Sequence, residues 1–184
     1  MITQFKIGLI SLLLTTTLFI SACSSVKVDL YSDNAPELKL NEYFNGDLTA
    51  HGIIKNRSGE VIRYFNVTMT GDWDSNGIGT LDEVFAFDDG EIQNRIWTFT
   101  PEQDGHYSAS ANDTVAPVET RVSGNAFFME YVLKIIYKDW PLEVSIDDRM
   151  YLINDSVMIN ESTMKKFGIE VGYITLTILK QTSG

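Results

Sequence analysis

Alternation with a period of two is the feature that most limits what this chain can fold into. From Val61 to Trp73, the residues Val61, Arg63, Phe65, Val67, Met69 and Trp73 fall on one face, and Ile62, Tyr64, Asn66, Thr68 and Asp72 on the other. Phe127 to Tyr137 repeats the pattern, setting Phe127, Met129, Tyr131, Leu133 and Ile135 against Glu130 and Lys134. Leu142, Val144, Ile146, Met150 and Leu152 carry it further. Successive side chains on a strand point to opposite sides, so each run buries one face and wets the other. A helix would scatter the same residues around its circumference.

Turn signals separate the runs: Arg57-Ser58-Gly59, Ser75-Asn76-Gly77, Asp89-Gly90, Asp104-Gly105, Gly124-Asn125 and Asp139-Trp140-Pro141. Their spacing predicts about ten strands in one all-β domain. Sequential hairpins favour an antiparallel up-and-down arrangement, and closure removes exposed edges. The expected fold is therefore a β-barrel or half-barrel with one or two short helices. Those helices are expected at Pro36 to Phe44, behind Asn34-Ala35, and at Ser162 to Phe167, with Gly168 as its cap. A pore in an outer membrane would need an apolar outer band, whereas Lys134, Lys138, Glu143 and Arg149 are expected to point outward.

The start of the chain has a different grammar. Lys6 precedes an uncharged apolar stretch from Ile7 to Ile20, short for a membrane span and suited to a secretory signal. Ile20-Ser21-Ala22-Cys23 resembles the lipobox of bacterial lipoproteins. That resemblance implies cleavage before Cys23 and attachment to its thiol of a diacylglyceryl group bearing acyl chains such as palmitate. Several chains on one residue anchor stably where one binds only marginally. The expected division is a signal peptide at 1–22, a lipidated N-terminus and tether at 23–34, and a single β-barrel domain at 35–184. Ser24 stands where Asp would, by resemblance to enterobacterial sorting, imply retention at the inner membrane. The expected location is thus the cell envelope, facing the periplasm, at the outer membrane rather than the inner.

Cys23 is the only cysteine, which excludes an intramolecular disulfide or a thiolate metal cluster. The net charge is −11, and removing the first 22 residues takes away only Lys6 among charged groups. So acidic a body repels nucleic-acid phosphates, and no nucleic acid is expected as a partner.

Catalytic patterns are sparse. Asp72-Trp73-Asp74-Ser75-Asn76-Gly77 with Glu83 matches the spacing of a helix-flanked calcium loop, but the runs on either side alternate as strands, and a hairpin tip is the expected structure. His51 falls on an outward face and His106 follows a glycine turn. No nucleophile elbow, zinc-ligand pair or phosphate loop is present. Asp82-Glu83 and Asp147-Asp148 are neighbours on strands and point to opposite faces. No enzyme activity, metal or cofactor is expected.

The apolar faces carry polar exceptions. Glu83 shares a face with Leu81 and Phe85, Arg95 with Trp97 and Phe99, and Asp148 with Ile146 and Met150. Both of the first two faces reach one interior only if paired residue numbers sum to an even value across Asp88-Asp89-Gly90, which requires a longer or bulged loop. That register brings Glu83 and Arg95 together. Two readings stand: an internal ion-pair or hydrogen-bond network, and polar anchors of a ligand site. The candidate ligand-binding residues are Trp73, Glu83, Arg95, Trp97, Tyr131 and Asp148.

Tyr43-Phe44-Asn45-Gly46, Gly71-Asp72-Trp73, Asp88-Asp89-Gly90-Glu91 with Arg95 and Trp97, Gly124-Asn125-Ala126, Asp147 to Leu152 and Met164 to Gly168 occur in this order along nearly the whole chain. Their order resembles a proteobacterial lipoprotein family, domain of unknown function 3833. His51, Arg149 and Glu161 depart from its pattern. The resemblance implies a lipocalin-like barrel on a lipid anchor, with no activity to carry over. The expectation is a non-enzymatic periplasmic binding module for a small apolar or amphiphilic ligand, held to the membrane through lipid on Cys23. The alternative is a structural or interaction lipoprotein with a filled barrel, its protein partner undefined.

Overall fold

A computed structural model describes residues 26–103, 106–137 and 140–181. The expected signal peptide and Cys23 lie outside the described residues. The described chain forms ten strands: β1 Gly46–Asn56, β2 Val61–Trp73, β3 Gly79–Phe87, β4 Ile92–Pro101, β5 Tyr107–Ala111, β6 Val118–Ser123, β7 Ala126–Tyr137, β8 Trp140–Asn154, β9 Val157–Lys166 and β10 Ile169–Lys180. They close into one antiparallel up-and-down barrel, with β1 bonded to both β2 and β10. Closure gives every strand two partners, so no ladder edge is left open.

The long alternating runs lie as their periodicity predicts. Phe65, Val67 and Met69 on β2 point inward, as do Phe127, Met129, Tyr131 and Leu133 on β7, and all are buried. The turn at Asp88-Asp89-Gly90 is the longer loop that parity demands. Gly90 takes φ +87, and the register pairs Glu83 directly with Arg95.

One end of the barrel is plugged. A short helix, α1 Leu40–Tyr43, and its flanks place Leu38, Leu40, Tyr43 and Phe44 over that end, each buried. The Tyr43 hydroxyl donates to the Ile178 carbonyl at 3.0 Å. Gly71 sits beneath the Phe44 carbonyl, where an added Cβ would lie 1.6 Å from that oxygen, so this close approach requires glycine. The expected helix from Pro36 to Phe44 is thereby shortened to four residues. The Leu38 amide donates to Gly124 instead, tying the preceding segment to the β6–β7 turn.

Two further expectations are corrected. Ser162 to Phe167 is not a helix: Ser162 to Lys166 belongs to β9 and pairs with β8 and β10 on both sides. Phe167 and Gly168, with φ +52 and +77, form the two-residue turn into β10. Glycine after a run of good helix formers marks a helix cap or a hairpin turn equally well, and the double ladder decides for the hairpin. The stretch 28–34, expected within the tether, packs on the barrel. Val28–Tyr31 forms a 3-10 turn, Val28 is buried, and the Tyr31 ring lies 5.8 Å from Phe128 and 5.3 Å from Tyr151.

Candidate functional site

Exposure along the barrel axis defines the site. Inward-facing Leu48, Ala50, Trp97, Phe99, Phe127, Met150, Leu152 and Met158, near the plug, are all buried. At the opposite end Ile54, Phe85, Phe87, Ile135, Leu142, Met164, Ile174 and Leu176 also face inward but are only half-buried. The barrel thus has a filled half and an open mouth whose lining is apolar.

Charged groups lie between the two halves. Arg95 on β4 donates from Nε to both carboxylate oxygens of Asp113, at 3.1 and 2.8 Å. Its Nη1 stands 3.9 Å from Glu83 Oε2 on β3, and its guanidinium lies 5.2 Å from the centre of the Phe85 ring. Asp113 belongs to the β5–β6 loop, which is bound to β7 through Lys134 N to Asp113 O at 2.8 Å and Val115 N to Val132 O at 3.0 Å. The Glu83 Oε2 atom is buried and accepts no hydrogen bond from the described residues.

Deeper in, Asp148 on β8 is fully engaged. It accepts from Ser162 Oγ at 2.8 Å, from the Tyr131 hydroxyl at 3.3 Å and from the Asn160 amide. Tyr131 packs edge-on against Trp97, with centroids 5.3 Å apart. Burial supplies the leading electrostatic effect at each acid. It pushes the Glu83 carboxyl up to about 7, against the pull of Arg95 and with added repulsion from Asp148 and Asp113. Asp148 is raised by burial too, with its three hydrogen bonds opposing, and Tyr131 is raised by burial and by Asp148. Burial disfavours the charge on Arg95, but Tyr131, Glu83 and Asp113 together outweigh it and raise its pKa. A carboxyl poised near neutrality can serve either as a recognition group or in proton transfer.

Of the six candidates, Glu83, Arg95, Trp97, Tyr131 and Asp148 converge on this layer. Trp73 does not. It sits at the plugged end against Gly79, 5.9 Å from Phe99 and 5.5 Å from Tyr107. Asp113, Asn160 and Ser162 were missed. Asp113 occupies a loop, where period-two reasoning is blind. Asn160 and Ser162 share the inward face of β9 with Met158 and Met164, a signal obscured by the helix expected from Ser162 onward.

The other polar motifs are structural or superficial. Asp74 caps the β2–β3 turn, accepting from the Asn76 and Ile78 amides at 2.8 and 2.9 Å, so the calcium-like spacing is a hairpin tip, with Glu83 far along β3. His51 is exposed and bonded to Asn66 at 2.7 Å. It lines a cavity of about 570 Å³ whose walls also include Tyr64, Asn66 and Thr177 and the mouth residues Phe87 and Leu176.

Comparison with curated proteins finds no match for the sequence. Among solved structures, the barrel is similar to a protein of unknown function from the DUF3598 family of Nostoc punctiforme, at 15% identity and a TM-score of 0.58. That likeness covers 79% of this chain and 50% of the other, so this chain spans about half the length of that relative. It is also similar to the S-type phycobiliprotein lyase CpeS of Guillardia theta, at 11% identity and a TM-score of 0.50, over 87% of this chain and all of that one. At such identities the likeness shows the fold alone. With residues 17–180 matched by its family model, the chain belongs to the DUF3833 family, described as a protein of unknown function.

Proposed function

We propose that this protein is a membrane-anchored, non-enzymatic binding module that holds a small amphiphile in the open half of its barrel. The observation that carries the reading is the mouth. Inward-facing Phe85, Phe87, Ile135, Leu142, Met164 and Leu176 are half-buried, above a charged layer in which Glu83 Oε2 has no donor. Apolar walls with a few convergent polar groups are the usual make-up of a small-molecule site. The apolar part of the ligand lies against those side chains, and a hydroxyl or amine of its polar part donates to Glu83. The similarity of the barrel to a phycobiliprotein lyase supports a fold suited to holding a small molecule. With Asp148 engaged by Ser162, Tyr131 and Asn160 and both histidines exposed, no histidine base stands in the described interior layer, which supports a binding role over catalysis.

In this reading lipid on Cys23 fixes the barrel at the periplasmic side of an envelope membrane, the outer one. Cys23→Ala should yield an unprocessed, unacylated precursor; acylation persisting in that variant would refute the anchor. The ligand is tested by native mass spectrometry after mild detergent extraction. The expected result is a bound amphiphile whose occupancy drops sharply in Glu83→Leu. An empty barrel that also takes up no fatty acid, phospholipid or amine-bearing amphiphile would refute the binding function. The packed aromatics Trp73, Phe99, Trp97 and Phe127 favour one competing reading, a barrel filled for structural purposes, and that outcome would establish it.

A further inference from the structure

Two of the three carboxylates in the charged layer have their donors. Asp113 holds the Nε of Arg95 with both oxygens, and Asp148 accepts from Ser162, Tyr131 and Asn160. Glu83 is the exception. Its Oε2 is buried without a donor among the described residues, and Arg95 Nη1 stands 3.9 Å away, too far for a hydrogen bond. Such an acceptor is costly to leave bare, and a donor from outside the chain removes the cost. Glu83 and Arg95 face inward as a cross-strand pair and keep 12% and 16% of their side-chain surface exposed, so the opening of the barrel reaches down to them.

The charges around Glu83 say what kind of donor fits. Arg95 and Trp97 face it from β4, Asp113 from the β5–β6 loop, Tyr131 from β7 and Asp148 from β8. β2 faces it with the uncharged Met69, and β9 brings the neutral Asn160 and Ser162 to the layer. Three carboxyls thus meet one guanidinium, which Asp113 already engages. A ligand carboxylate would add a fourth acid with Arg95 no longer free to balance it. A hydroxyl would satisfy Oε2 and leave the charge uncompensated. An ammonium does both. Aromatic rings stand ready for a desolvated cation: Phe85 lies 5.2 Å from the guanidinium, and Trp97 packs on Tyr131 within the same layer.

Given the binding role proposed for the mouth, on which this step rests, we infer that the ligand is an amphiphile with a primary ammonium group, which pairs with Glu83 in exchange for the proton of that carboxyl. The Glu83 O–H bond breaks, its proton passes to solvent, and the ammonium forms an ion pair with the carboxylate left behind. Asp113 offsets the repulsion that Arg95 would otherwise exert on the incoming cation. Asp148 keeps its three donors throughout.

The test is calorimetric titration of the full chain in non-ionic detergent with octylammonium, octanol and octanoate, each corrected for detergent alone. At pH 8 octylammonium should bind about tenfold more tightly than the other two, the margin between a charge-assisted and a neutral hydrogen bond. Its affinity should fall about tenfold from pH 8 to pH 6, because Glu83 ionises at about 7 and its proton must then be displaced. At pH 6, heats in buffers of differing ionisation enthalpy should report about 0.9 proton released per ammonium bound. Glu83→Gln should abolish the release and reduce octylammonium to the affinity of octanol, with its thermal midpoint checking the fold; the proton count itself needs no variant. Octanol or octanoate binding as tightly as octylammonium overturns the inference, and so does octylammonium binding with no proton released. In both cases the mouth still binds, and the broader binding role stands. Failure of all three to bind overturns the inference as well. An empty barrel in the native mass spectrum then brings down the binding role with it, whereas a bound ligand without an amine leaves that role standing.

Discussion

The two halves of the barrel are built from the same ten strands with the same alternation, yet they solve different problems. In the plugged half the inward side chains interlock. Phe44 lies 6.4 Å from Phe127, Phe127 6.4 Å from Phe99, and Phe99 6.2 Å from Trp97, beneath a helix that shuts out water. In the open half Ile54, Phe87, Leu142 and Ile174 face inward with no element of the described residues over them and stay half-buried. The first arrangement maximises burial and so stability; the second leaves apolar surface for something else to cover. Between them, Arg95 gathers Glu83 and Asp113.

The contrast can be broken most sharply by truncation. Phe127→Ala, deep in the filled half and 1% exposed, should cost about 3–5 kcal/mol in chemical denaturation. Ile135→Ala, at the mouth, should cost only roughly 1–2 kcal/mol, in proportion to its partial burial. Equal losses would mean that the mouth is as well packed as the plug. The charged layer predicts a pH dependence. Glu83 releases its proton at about 7 in the fold and at 4.5 when unfolded. Its contribution is fully present below pH 4.5 and lost as pH rises to about 7, for a total of about 3 kcal/mol. Asp148, also raised, acts in the same direction. Glu83→Gln should flatten stability across that window, and an unchanged slope in thermal denaturation would show that Glu83 is hydrated.

Smaller effects sharpen the picture. Asp148→Ala orphans the donors of Tyr131, Asn160 and Ser162 and should cost about 2 kcal/mol in urea unfolding. Phe167→Asn, at the exposed turn, should leave stability unchanged or raise it by about 0.5 kcal/mol, because Asn tolerates the left-handed conformation. A marked destabilisation would give Phe167 a packing role.

Strand positions and facing were legible because alternation is local. Val61 to Trp73 and Phe127 to Tyr137 declare their buried sides in one dimension, and parity alone placed Glu83 opposite Arg95. Trp73 was misplaced in the site for the same reason. Parity tells which side of the wall a residue faces and nothing of its height in the barrel. The height follows from register, which sets Trp73 beside Gly79 at the plug. The 3-10 turn at Val28 was hidden because a few polar residues before a proline read as a tether until their aromatic partner, Tyr31, is seen against Phe128.

By itself, the sequence determined that the chain would form antiparallel strands, about ten of them, around an apolar interior crossed by a few charges. Side-chain period and turn chemistry are properties of neighbouring residues, so they need no knowledge of the whole. Closure, the plug, the fate of Ser162 to Phe167 and the convergence of Asp113 on Arg95 were decided by the tertiary structure alone. Each depends on which distant strand supplies a hydrogen bond or a wall, and the chain contains that information only once the ladder between β1 and β10 has formed.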